Sequence, residues 1–252
     1  MGSYSNFQSD NKKYTKNRYD IYNPDFQSTI KTKTERKKTS FQRNLGKWTN
    51  FVSWCRFSPD LFLDLITPET GGIRLDLDQR VYLRSLVRFV STYNVFPRGW
   101  GKTFLCVLGA HLIAIFYPDI DLSFTAQSKH RAANLLKEKH DEIIKSWPLL
   151  ANEIKELQSR NDYTMIHFTS GSRIDILANS QSSKGVRRKR LLIDESALLN
   201  DQLYQDVLEP ITNIPRRTVG PKALVNPEEI NSGHFFHSTS GVFLCPHVQQ
   251  CA

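Results

Sequence analysis

Long apolar runs are missing from this chain of 252 residues. The longest, 104–117, contains His111 and falls short of the roughly 20 residues needed to cross a bilayer. The opening MGSYSNFQSDNKK has no apolar core and so does not read as a signal peptide. Cysteine is scarce, and Cys55, Cys106, Cys245 and Cys251 show neither disulfide nor zinc spacing. No internal repeat is present, which excludes a solenoid or propeller. These absences predict a soluble, intracellular protein with no membrane partner. What remains is an ordinary globular composition, 39% apolar, 11% aromatic and 23% charged, in a chain long enough for one large domain.

Acids are the scarcer charge, 25 against 34 Lys and Arg, and the net +9 is unevenly placed. Residues 1–50 hold eleven bases and four acids, +7 of that total. This stretch is rich in Asn, Ser, Thr, Gln and Tyr and lacks any helical or strand period, so residues 1–45 read as a basic flexible arm. Such an arm either contacts nucleic-acid phosphate with counterion release or is a solvated tail.

Apolar spacing turns helical from residue 46, and residues 46–90 form a helical lead-in broken by Pro68 and Gly71-Gly72. A β-prone run follows at 93–96, then the turn PRGWGKT at 97–103, then an apolar helix at 104–116 stopped by Pro118. A strand at 122–125 and a helix at 129–147 continue the alternation. A polar, helix-like stretch comes next, and a hairpin over 164–168 and 173–177 turns at Thr169-Ser170-Gly171-Ser172. The apolar run Leu191-Leu192-Ile193 ends in Asp194-Glu195, as a buried parallel strand ends at its carboxyl edge. A helix near 201–208 and a last strand at 234–237 complete an α/β pattern. The ordered domain is placed at 46–241, with a short tail at 242–252.

Chemistry concentrates at two places. A glycine-bearing turn between strand and helix presents unpaired N–H groups at the positive end of the helix dipole, a seat for a triphosphate. Gly99 and Gly101 shape the turn, Lys102 would reach the β- and γ-phosphates, and the Thr103 hydroxyl would ligate Mg²⁺. The pattern G-x-x-x-x-G-K-[ST] is incomplete, because its first glycine position is Phe96. At the second place, Asp194 would hold the Mg²⁺ shell and Glu195 would polarise a water. The alternative is that both acids cap the following helix. A strand-G-K-T-helix followed about 90 residues later by an apolar strand ending in Asp-Glu favours ATP hydrolysis.

Over about residues 75–241 these motifs resemble the large terminase subunit, the ATP-driven DNA-packaging motor of tailed double-stranded DNA phages. The likeness rests on a deviant Walker A motif with Arg98 four residues before Lys102, and on the Walker B motif LLIDES. Lys184-Gly185-Val186-Arg187 resembles the family's approach to Walker B, and Ser238, Thr239 and Ser240 fall where the family carries its coupling motif. Gln79 resembles the family's adenine-recognising glutamine. The resemblance implies a three-layer P-loop NTPase fold of RecA type with a mostly parallel central sheet, preceded by the helical segment. It implies ATP and Mg²⁺ as cofactors, Arg98 as a transition-state aid, and double-stranded DNA, a portal and a small terminase subunit as partners. A homo-oligomeric ring in the host cytoplasm would be the working form.

Each added position has a plainer alternative: an ion pair for Arg98, a solvated helix residue for Gln79, a strand-end turn for Ser238 to Ser240. The bases Lys184, Arg187, Arg188, Lys189 and Arg190 read equally as a phosphate contact or a solvated loop. Full-length terminases also carry a nuclease domain whose clustered acids bind two metals. Residues 241–252 contain no Asp or Glu, and Cys245, Pro246, His247 and Cys251 fit no common zinc pattern. No nuclease activity is therefore expected, and the chain reads as a fragment. A helicase-like ATPase and a truncated, non-catalytic DNA-binding module are the rival readings.

Overall fold

A computed structural model describes residues 44–178, 180–212 and 233–239. The basic arm up to residue 43, the connection 213–232, Ser240 and the tail 241–252 with its two cysteines lie outside the described residues. The chain parts into two units, Met1–Phe51 and Val52–Ala252. Of the first, the described residues form the opening turns of helix α1 (Leu45–Phe57), where Trp48 and Phe51 meet edge to face.

In the second unit, Pro59 starts helix α2 (Pro59–Ile66), where its fixed φ suits the first helical position. Helix α3 (Leu77–Arg88) starts with a capping box in which the Gln79 side chain accepts from the Asp76 N–H at 3.1 Å. A charge clamp joins the two. Asp60, 1% exposed, accepts a bidentate pair from Arg84 at 2.7 and 2.8 Å, with Arg80 at 3.6 Å. Burial alone would raise the Asp60 carboxyl, yet these guanidinium groups hold it below its ordinary value.

Among the described residues, seven strands form one sheet in the order β1-β7-β6-β2-β5-β4-β3. They are β1 (Ser91–Phe96), β2 (Asp121–Thr125), β3 (Ile154–Arg160), β4 (Tyr163–Phe168), β5 (Arg173–Ile176), β6 (Arg190–Ile193) and β7 (Gly233–Thr239). Pairing is parallel from β1 through β7, β6 and β2 to β5, and antiparallel from β5 to β4 and β3. The mostly parallel α/β sheet expected from the sequence is thus present. Helix α4 (Lys102–Phe116) buries eleven of its fifteen residues, which explains why its sequence is apolar on all sides. Helix α5 (Lys129–Ser146) is amphipathic and is capped by Ser128, whose side chain accepts from the Arg131 N–H. No helix among the described residues is long and apolar enough to cross a membrane.

The helix-like stretch after Trp147 is a correction. After a 3₁₀ turn (Pro148–Glu153), residues Ile154–Arg160 form β3, the edge of the sheet, paired with β4 in the register Leu157↔Ile166. An edge strand solvated on one side needs little apolar alternation, and its charges discourage pairing with another chain. The helix near 201–208 is present but irregular, with a π turn at Tyr204–Leu208. Gly233 opens β7 where no side chain fits, since a Cβ would lie 2.1 Å from the Val90 carbonyl oxygen.

Among the described residues three histidines, His111, His140 and His237, are buried, and His234 is half-buried. His111 Nδ1 faces the Val107 carbonyl at 2.8 Å and must donate, so its Nε2 accepts from His140 Nδ1 at 2.9 Å. Burial lowers His111 and His237 to about 3 and His234 to about 4, and lowers His140 as well. A histidine whose folded pKa is depressed contributes full stability above its ordinary value near 6.5 and loses it as pH falls below that. Urea unfolding between pH 7 and pH 5 is expected to show stability falling with acid. Each fully shifted histidine contributes up to about 1.4 kcal/mol per pH unit.

Candidate active site at the ends of the parallel strands

Strands β1, β7, β6 and β2 run in one direction, so their carboxyl ends open on the same edge, where ligands of α/β sheets bind. The turn after β1 is anchored by its aromatics. Trp100 stacks on Phe96 at 4.1 Å between ring centroids and 11° between planes, and Tyr82 of α3 meets both edge-on. Phe96, the departure from the consensus glycine, therefore packs the turn from beneath. Gln79 Nε2 donates to the Trp100 carbonyl at 3.3 Å, which ties α3 to the turn. Gly101 caps α4 at φ +89°, a left-handed conformation that would strain any L side chain.

Lys102, the first residue of α4, carries its ammonium into the space between the strand ends. Its Nζ donates to Glu195 Oε1 at 2.6 Å and to Thr239 Oγ1 at 2.7 Å, with Asp194 Oδ1 at 3.7 Å. Thr103 Oγ1 donates to Asp194 Oδ2 at 3.0 Å, and Thr239 Oγ1 lies 3.2 Å from both Glu195 oxygens. All five side chains, from three separate elements, meet around one point. Their sequence separation reaches 137 residues.

Asp194 and Glu195 occupy different environments. Asp194, 6% exposed, follows β6, and burial raises its carboxyl above the ordinary value although Lys102 and Thr103 pull it down. Its Oδ1 is buried without a hydrogen bond among the described residues. Glu195 stands at φ +53°, a conformation that costs a non-glycine residue of order 1 kcal/mol. It occupies the cap position of the short turn Ser196–Leu198, yet its side chain makes no capping bond. The capping alternative for the two acids therefore fails, because both carboxylates are turned toward α4.

The other expected residues divide. Arg98 is exposed and lines, with Gly99, Gly101, Lys102, Glu195 and Thr239, a cleft of about 590 Å³. Gln79 lies beside this turn, on a second cleft of about 470 Å³ with Phe104 and Lys145. Ser238 is buried, and the alternation of β7 directs it away from the face that Thr239 serves. Ser240 lies outside the described residues. The basic run 184–190 is mostly internal. Arg188 pairs with Asp175 through Nη2, Lys189 is buried, and Arg190 donates to the Leu86 carbonyl beneath the Phe235 ring. Lys184 and Arg187 alone of the five are exposed. Gln127 and Arg131 also line the first cleft and escaped the sequence reading. Their position just after a parallel strand was the available signal.

No family model and no curated protein matches the sequence. Among solved structures, the large terminase of bacteriophage HK97 superposes with a TM-score of 0.51 at 14% identity, over 73% of this chain and 37% of that one. The large terminase of a thermophilic bacteriophage gives a TM-score of 0.50 at 9% identity, over 66% of this chain and 39% of that one. The chain shares its α/β fold with part of these phage large terminases. It spans well under half the length of these two terminases.

Within this terminase-like α/β P-loop fold, Asp194 holds a desolvated charge that the folded state would shed if it could. A carboxylate raised on folding costs stability once pH rises through its ordinary range. Asp194→Asn is therefore expected to raise the thermal midpoint, by an amount equivalent to about 0.5–2 kcal/mol, read by calorimetry at pH 7. An unchanged or lower midpoint would contradict a desolvated charge at this position.

Proposed function

We propose that the chain is an ATP hydrolase, the motor domain of a terminase large subunit. The observation that carries this reading is the meeting of Lys102, Thr103, Asp194, Glu195 and Thr239 at a helix N-terminus. That arrangement combines a cation and free N–H groups for phosphate with one carboxylate for a metal and another for water. Lys102 already has two acceptors, so arriving phosphate oxygens would compete with Glu195 for the ammonium and free that carboxylate to orient water. Thr239, bonded to both, would register the exchange at the end of β7.

The donor set suits Mg²⁺. Asp194 Oδ1 is an orphaned buried oxygen and Thr103 Oγ1 is adjacent, two hard ligands of the kind Mg²⁺ accepts beside phosphate and water. Among the described residues no cluster of three or more His, Cys, Asp or Glu could hold a metal ion. When bound, the ion would neutralise phosphate charge. Arg98, exposed on the cleft, would face the charge that spreads over the transferring phosphoryl group. Gln79 would read the adenine edge by exchanging its bonds to Asp76 and Trp100 for the base.

Hydrolysis would then drive double-stranded DNA into a procapsid through a ring of copies docked on a portal, with a small terminase subunit supplying the DNA. The likeness of fold supports this reading, as does the net +9 charge of the chain. The working site would be the host cytoplasm.

Steady-state ATP hydrolysis with Mg²⁺, with and without linear duplex DNA, tests the proposal. Lys102→Ala and Glu195→Gln are each expected to lower turnover by about 10²–10⁴-fold. Glu195→Gln should bind ATP no more weakly than wild type, because it removes the anion that competes for Lys102. Turnover unaffected by either substitution would refute this site.

A further inference from the structure

Helix α3 touches the site at two levels. Gln79 holds the turn through the Trp100 carbonyl, and Tyr82, three residues on and hence on the same helical face, reaches further in. The Tyr82 hydroxyl shares a short hydrogen bond with His237 Nε2. Tyr82 is 4% exposed and His237 fully buried. The Tyr82 ring also meets Phe96, Trp100 and His237 edge to face at 5.0, 5.7 and 5.5 Å.

His237 lies two residues before Thr239 on β7, so strand alternation puts both side chains on one face of the sheet. Strand β7 lies between β1, which leads into the turn, and β6, which leads into Asp194 and Glu195. One helix thereby grips both the turn that delivers Lys102 and the strand end that delivers its Thr239 partner. A buried phenol and imidazole cost free energy unless they satisfy each other, and an apolar pair would fill the same space at less cost. The polar pair instead fixes one relative placement of α3 and β7.

We propose that Tyr82 is a positioning residue for hydrolysis. Its bond to His237 sets where β7 ends and so keeps Thr239 on Lys102 and Glu195. This rests on the ATPase reading above. Burial keeps the phenol protonated and the imidazole neutral, and the nearby Lys102 charge further disfavours an imidazolium. The bond therefore persists across the neutral range.

The test compares Tyr82→Phe, His237→Leu, their double and His237→Gln in the full chain. The readouts are turnover, KM for Mg-ATP, the thermal midpoint, and backbone amide exchange at 99–103 and 237–239. Tyr82→Phe and His237→Leu should each lower kcat about 10-fold or more, with KM within about twofold, since small misplacement in an active site costs up to about 10²-fold. The double variant should lose no more than the worse single one. His237→Gln, whose amide oxygen still accepts a hydrogen bond, should recover most of the activity. Amide exchange should quicken at both segments in Tyr82→Phe. A lowered midpoint with unchanged kcat, or additive losses of kcat, would overturn the proposal. A wild-type chain that hydrolyses no ATP would defeat the ATPase reading alone. Amide exchange then decides the positioning role: faster exchange at 237–239 in Tyr82→Phe supports it, and unchanged exchange rejects it.

Discussion

One ammonium organises the site. Lys102 Nζ is shared by Glu195 and Thr239 within 2.7 Å, with Asp194 one step further away; the lysine comes from α4, the two acids from the end of β6 and the threonine from the end of β7. Such a cluster is a poor source of stability, because removing charges from water offsets most of their attraction. Its features point instead to a ligand. Asp194 is buried with an unsatisfied oxygen, Glu195 holds a left-handed backbone, and Gly101 holds another. Strain and desolvation of this kind gather at preorganised functional sites.

The rest of the architecture serves that meeting. Parallel pairing brings the ends of β1, β7, β6 and β2 to one edge, and β7, last in sequence, inserts between the two strands that carry the motifs. Helix α4 is buried on nearly all sides, which fixes the direction of its first residue, Lys102. Helix α3 is clamped to α2 by Asp60, Arg80 and Arg84 and braces the turn through Gln79 and its aromatic contacts.

What could be read in the sequence was local. Gly101, Lys102 and Thr103 are adjacent, Asp194 and Glu195 follow the apolar run Leu191-Leu192-Ile193, and their chemistry follows from residue type. Most strand and helix positions followed from apolar spacing. Four features were not legible, for separable reasons. Strand β3 carries polar residues because it is an edge, so its period says little. Arg188 and Arg190 look like solvated charges, yet Asp175 and two backbone carbonyls of α3 and its C-cap receive them inside the fold. The Tyr82 bond to His237 joins residues 155 positions apart, and nothing local marks either one. Phe96 looked like a defect in the glycine pattern and is the platform for Trp100.

The central claim is that the turn at 97–103 seats nucleotide phosphate against Lys102. Titration calorimetry of a non-hydrolysable ATP analogue with Mg²⁺ into wild type and Lys102→Ala tests it most directly. The account predicts saturable one-site binding to wild type, weakened at least about tenfold by the substitution, a loss of about 1.4 kcal/mol or more. Equal affinity in the two proteins, or no binding to wild type, would contradict it.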